Sequence, residues 1–275
     1  MRKSFVLTLL FVAYATSLRA EQALVAVAAN FSAPMQQIAL AFQKDTGHQL
    51  KLSFGATGGI YAQIKNGGPF DVFLSADQLT PQKIEAEGLG VPQTRFTYAA
   101  GQLVLWSKQD GLVDDKGQVL RSKNIQRIAL ANPKLAPYGA AALEAMTQLG
   151  LLDELKPKLV QGDNIAQTYQ FVSTQNAQLG FVALSQVFAD GKITSGSGWV
   201  LPSSLYKPIL QDAILLKNGK DNSAAKALML YIKGDKAKEM IKRFGYLTDL
   251  TKQPLHKIEL KNETLDLGSS AWTDV

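Results

Sequence analysis

Val25-Ala26-Val27-Ala28-Ala29-Asn30-Phe31-Ser32-Ala33-Pro34-Met35 reads as a strand that runs directly into a helix. The small and β-branched residues 25–28 suit a strand covered on both faces. Met35, Ile38, Ala39 and Phe42 then recur at i, i+3, i+4 and i+7, the spacing of a helix's core-facing stripe. Asn30 or Ser32 can cap that helix, and Pro34 is tolerated in its first turn. An uncharged polar turn between strand end and helix start presents unpaired amide N–H groups, which suits an anion.

Working outward, the same unit recurs. Residues 49–54 predict a second strand, followed by Gly55-Ala56-Thr57-Gly58-Gly59 and a helix opening with Ile60, Tyr61 and Ile64. Residues 70–75 predict a third strand, with a helix from Thr80-Pro81 to Ala86. This βαβαβα order argues a parallel sheet with helical crossovers. Residues 96–107 then read as one long extended run. A second βα series starts at residues 125–131, where Asn132-Pro133 leads through Pro137-Tyr138-Gly139 to a helix over residues 140–149. A strand over 159–162, a helix capped by Asp163 or Asn164, a strand over 179–184 and a short helix capped by Ser185 follow. Residues 209–216 form another extended run before amphipathic helices over 224–232 and 237–244, with Gly245 as the stop.

Arg2 and Lys3 before the apolar residues 5–14, with small residues leading to Ala20, predict a secretory signal peptide over residues 1–20. The formal net charge of +6 loses Arg2, Lys3 and Arg19 with that leader, which halves it. The remaining lysines are scattered, which argues against nucleic acid. The absence of cysteine excludes a disulfide framework, a thiolate metal site and a cysteine nucleophile. His48 at a helix end reads as a surface residue, and with the distant His256 it makes no metal constellation. Asp71 and Asp77 flank a strand and read as a cap and a turn rather than as a catalytic pair.

Two βα series joined by two extended runs predict two lobes: residues 21–99 with 206–250, and residues 100–205. Residues 251–275 read as an appended tail. Ligands of such sheets bind beyond the carboxyl ends of the strands, here in the cleft between the lobes.

Ala28-Ala29-Asn30-Phe31, the run from Ser53 through Gly55-Ala56-Thr57-Gly58-Gly59 to Ile64, Asp71-Val72-Phe73-Leu74-Ser75-Ala76-Asp77, Asn132 through Tyr138-Gly139 and Leu179 through Leu184 carry a resemblance. In this order and spacing the chain resembles the molybdate- and tungstate-binding periplasmic proteins of ABC importers, over about residues 23–250. The resemblance implies an α/β type II periplasmic binding-protein fold, with mixed, mostly parallel sheets and two crossover strands. It implies a tetrahedral oxyanion held by Ala29, Asn30, Ala56, Thr57, Tyr138 and the backbone of Ile165. Molybdenum would be bound as the oxyanion, with no direct protein–metal ligand, no cofactor and no catalysis. The implied partner is a membrane permease, and the implied state is a periplasmic monomer. Many relatives carry Ser at position 30 and Tyr at position 183, so the chain resembles the Asn-bearing subgroup.

The bland readings stand beside these. Asn30 can be only a cap, Gly55–Gly59 only a tight turn without the lysine of a phosphate loop, and Tyr138 only a packed aromatic. A sulfate or phosphate receptor is the nearest alternative. An enzyme on the same architecture would need an acid, base or nucleophile at a strand end, and none stands there.

Overall fold

The computed structural model describes residues 20–250; the signal peptide expected over residues 1–20, all but its last residue, and the expected tail over 251–275 lie outside the described residues. Along the chain run β1 (Gln22–Ala28), a 3₁₀ turn (Ala29–Phe31), α1 (Ser32–Thr46), β2 (Gln49–Gly55), α2 (Thr57–Lys65), β3 (Val72–Leu74), α3 (Leu79–Ala86) and β4 (Phe96–Gly101). Then come β5 (Leu103–Ser107), β6 (Ile128–Ala131), α4 (Pro137–Gln148), α5 (Leu152–Leu155), β7 (Leu159–Gly162), α6 (Ile165–Ser173) and β8 (Leu179–Ala183). The small hairpin β9 (Phe188–Ala189) and β10 (Lys192–Ile193), β11 (Ser197–Val200), β12 (Ile209–Leu215), α7 (Ser223–Lys233) and α8 (Asp235–Arg243) complete it.

Two five-stranded sheets organise these elements, in the orders β2-β1-β3-β12-β4 and β11-β5-β8-β6-β7. In the first, β1 pairs parallel with β2 and β3, whereas β12 runs antiparallel to β3 and β4. In the second, β6 pairs parallel with β7 and β8, and β5 runs antiparallel to β8 and β11. The chain leaves the first sheet after β4 and returns to it at β12. The extended run over residues 96–107 is therefore two strands in different sheets, broken at Gln102.

The opening strand is apolar from Ala23 onward because both its faces are covered there. Val25 and Val27 pack with Phe31, Met35, Ile38 and Phe42, while Ala26 packs on the other face with Ile60, Phe73 and Ile84. In the second sheet α4 covers one face through Ala142 and Met146, and α6 covers the other through Val172. Each fully buried Phe, Ile or Met adds roughly 1.5–3 kcal/mol relative to exposure.

Three local readings are corrected by tertiary contacts. His48 is buried: its Nδ1 accepts the Glu21 amide at 3.1 Å and its ring stacks on Phe42. The cap of α6 is Asn164, whose Oδ1 accepts the amides of Ala166 and Gln167; Asp163 has no part in it. Ser185 lies within a 3₁₀ turn and donates instead to the Asn30 carbonyl at 2.7 Å. The two carboxylates flanking β3 serve backbone: Asp71 Oδ2 accepts the Leu24 amide and Asp77 Oδ1 accepts that of Thr80.

Asp212 on β12 is fully buried, and its carboxylate accepts from Thr97 at 2.6 Å, Gln78 at 3.3 Å and Arg95. Removing this acceptor leaves the Arg95 guanidinium with only Glu85, at 3.5 Å. A broken buried pair costs about 3–5 kcal/mol, less where one partner is partly solvated, as Arg95 is. Asp212→Ala is therefore expected to cost about 2–3 kcal/mol, lowering the thermal midpoint by roughly 4–12 °C. Thermal melts followed by circular dichroism check this.

Candidate functional site

The carboxyl ends of β1 and β2, together with the starts of α4 and α6, surround one small cavity of about 10 Å³. Its walls are Ala28, Ala29, Asn30, Gly55, Ala56, Thr57, Ala76, Ala136, Pro137, Tyr138 and Ile165. All six residues named from the resemblance thus meet in one place, from positions as far apart in the chain as Ala29 and Ile165. No lysine, arginine, histidine, aspartate or glutamate is in this lining.

Three of these walls are helix starts. Thr57 opens α2, Tyr138 sits in the first turn of α4 behind Pro137, and Ile165 opens α6 behind its Asn164 cap. First-turn amides have no acceptor inside their own helix. Among the described residues, those of Thr57, Tyr138 and Ile165 are not hydrogen-bonded to backbone or side chains elsewhere either. They leave N–H donors, backed by the positive ends of three helix dipoles. Two hydroxyls join them. Thr57 Oγ1 accepts the Ala76 amide at 3.1 Å, which leaves its own proton for another partner. Tyr138 Oη accepts from Gln211 Nε2 at 3.2 Å and likewise keeps its proton.

Close packing fixes these starts. A Cβ on Gly139 would stand 2.1 Å from the Ala131 carbonyl oxygen, so only glycine lets α4 begin against the end of β6. Gly58 donates its amide to the Leu135 carbonyl at 2.9 Å, joining α2 to the segment that leads into α4. Gln186 accepts the Ala183 amide at 3.0 Å and donates to the Ile165 carbonyl at 2.9 Å, which ties the end of β8 to the start of α6.

Asn30 neither caps α1 nor keeps a side-chain proton free. The residue before α1 is Phe31, and no side chain caps that helix. Asn30 Nδ2 donates to Gln211 Oε1 and to Tyr246 Oη, both at 2.9 Å. Its carbonyl accepts from Tyr246 Oη at 2.8 Å and from Ser185 Oγ at 2.7 Å. Tyr98 Oη adds a contact to Gln211 Oε1 at 2.9 Å. This buried network lies directly behind the cavity, and Gln211, Tyr98 and Tyr246 in it have no local sequence signal. Tyr98 occupies the extra position where β4 bulges against β12, since Thr97 and Ala99 are paired and it is not.

The cavity opens onto a larger cleft of about 630 Å³, with which it shares Thr57, Ala76, Ala136 and Pro137. That cleft carries charged groups at its rim, among them Asp77, Arg95, Lys134 and Lys207. Asp77 is held above the usual carboxylate range by burial, against the hydrogen bonds it accepts from Thr80 and Ser75. Among the described residues no group of three or more His, Cys, Asp or Glu could hold a metal ion, and no helix is long and apolar enough to cross a membrane.

Burial also governs the tyrosines. It pushes the Tyr98 and Tyr138 phenols well above 10, Tyr206 upward, and Tyr246 to about 12. Tyr138 is therefore a neutral donor throughout the physiological range. These groups have folded-state values above their unfolded ones, so their stabilising contribution is complete below pH ~10 and is lost as pH rises toward ~12. In that window the unfolded chain has already released protons that the folded chain holds. Thermal midpoints are expected to fall steeply between pH 10 and 12 and to gain nothing from these groups below pH 9.

Two sheets joined by two crossings, with one uncharged donor-lined cavity between them, define a two-lobed solute-binding protein. The chain belongs to the bacterial extracellular solute-binding proteins, whose family pattern it matches over residues 23–247. It is 57% identical over 248 residues to the molybdate-binding protein ModA of Azotobacter vinelandii, covering 88% of this chain and 98% of that one. It is 50% identical over 230 residues to the molybdate-binding protein ModA of Rhodobacter capsulatus, covering 84% and 90%. A solved periplasmic molybdate-binding protein of Azotobacter vinelandii superposes with a TM-score of 0.79 at 42% identity, covering 82% of this chain and 98% of that one.

Proposed function

We propose that this protein captures molybdate, and tungstate with it, between its two lobes in the periplasm and delivers it to the membrane permease of an ABC importer. The observation that carries the reading is a cavity lined by helix-start amides and two hydroxyls with no charged side chain. High identity over nearly the full length of two molybdate-binding relatives supports the same ligand. Ala29, Asn30, Ala56, Thr57, Tyr138 and Ile165 form the cradle, with Asn30 contributing through its backbone and through the network behind it. The protein acts as a monomer and performs no catalysis, needs no cofactor, and contacts molybdenum only through its oxygens.

The chemistry fits a dianion with four acceptor oxygens. Burying such an ion costs several kcal/mol unless its hydration is replaced. Hydrogen bonds to a charged acceptor return about 1.5–3 kcal/mol each, so five donors suffice for roughly micromolar or tighter binding after association costs. Fixed neutral donors do so without a partner that titrates. Molybdate affinity measured by calorimetry is expected to be flat between about pH 6.5 and 8.5. A tenfold loss across that range would place a titrating group in the cavity and overturn this donor set.

A further inference from the structure

Gln211 is fully buried on β12, behind the cavity and outside its lining. Its carboxamide is held at both ends. Oε1 accepts from Asn30 Nδ2 and lies 2.9 Å from Tyr98 Oη, so Nε2 is the end that faces Tyr138 Oη at 3.2 Å. A phenol has one proton. With Gln211 donating to its oxygen, the Tyr138 proton has to be given elsewhere, and Tyr138 itself lines the cavity.

Building on the function proposed above, we propose that Gln211 is the positioning residue that makes Tyr138 a donor toward the bound oxyanion. Through it the cradle is donor-only, which excludes oxyanions that keep a proton at neutral pH, such as hydrogen phosphate. A protonated oxyanion needs an acceptor on the protein, and a Tyr138 turned to give its proton to position 211 would supply one. The selectivity of the site is thus set one layer behind the ligand, by an amide orientation that Asn30 and Tyr98 fix.

The test is a double-variant cycle read by calorimetry with molybdate and hydrogen phosphate. Tyr138→Phe and Gln211→Met are each expected to weaken molybdate binding about tenfold or more, and the double variant is expected to be no weaker than Tyr138→Phe alone. Losses that multiply in the double variant, or wild-type affinity in Gln211→Met, would overturn the inference. Gln211→Glu provides the second reading and carries the test alone if Gln211→Met does not fold. Its neutral acid can still donate to Tyr138, whereas its carboxylate takes the Tyr138 proton. Molybdate affinity of Gln211→Glu should therefore fall as pH rises from 5.5 to 8.5, the preference over hydrogen phosphate should shrink with it, and the pH dependence should be smaller when Tyr138→Phe is added. A flat profile contradicts the role assigned to Gln211. A wild-type protein that binds no molybdate removes the functional reading instead, which separates the two failures.

Discussion

Gly101→Ala is expected to yield a folded protein that binds molybdate at least about 100-fold more weakly than the wild type. A Cβ at this position would stand 2.0 Å from Tyr138 Oη and 2.7 Å from Gln211 Nε2. Neither neighbour can yield without cost, because Tyr138 and Gln211 are both buried and the amide of Gln211 is held at its other end. The phenol must therefore leave the position from which it faces the cavity. A hydrogen bond to a charged oxyanion is worth about 1.5–3 kcal/mol, and displacing the ring also disturbs the first turn of α4, whose amides supply further donors. Overpacking a buried site costs roughly 1–3 kcal/mol, so the thermal midpoint should drop by only a few degrees. Calorimetry for affinity and circular dichroism for folding check the two halves of the expectation; unchanged affinity would mean that Tyr138 does not touch the ligand.

Asn30→Asp should have a larger effect still. The substitution keeps the side-chain shape of a residue that lines the cavity but replaces the two N–H bonds to Gln211 and Tyr246, behind it, with a carboxylate oxygen. Facing the Gln211 carbonyl oxygen, that carboxylate reverses the network behind the cradle, and its charge opposes the bound dianion. At a separation of about 6 Å and an effective dielectric near 20, the repulsion is about 5 kcal/mol. A loss of about 1000-fold or more is expected at pH 8, easing as pH falls and the buried aspartic acid takes up its proton. Affinity within tenfold of the wild type at pH 8 would show that the ligand sits away from Asn30.

The strand-to-helix junctions were legible because each is local. Apolar runs ending in Asn30, Thr57 or Asn164 announce a strand end and a helix start within a few residues, and the first such junction in the chain already carries the motif of the whole site. The network behind the cavity was illegible for the opposite reason. Asn30 meets Gln211 and Tyr246 across separations of 181 and 216 residues. A lone glutamine in an apolar extended run has no periodicity that marks it as buried and bonded. Asn30 itself read as a ligand donor or a cap, and the contacts made by distant strands gave its side chain a third role. The run over residues 96–107 hid a change of sheet at Gln102 because strand propensity continues through it. His48 looked solvated after Gly47, yet tertiary packing on Phe42 buried it. Periodicity thus located the donors, and only the assembled fold revealed what orients them.

The most direct test of the account is a thermal-shift titration of the mature protein with molybdate, tungstate, sulfate and hydrogen phosphate at matched concentration and pH. A ligand present at about 1000 times its dissociation constant stabilises the folded state by about 4 kcal/mol, or roughly 8–16 °C for a chain of this size. The account predicts a shift of that order with molybdate and tungstate, a smaller one with sulfate, and none with hydrogen phosphate. No shift with molybdate or tungstate, or a larger one with hydrogen phosphate, would contradict the central claim that a donor-only, uncharged cradle holds a fully deprotonated tetrahedral oxyanion.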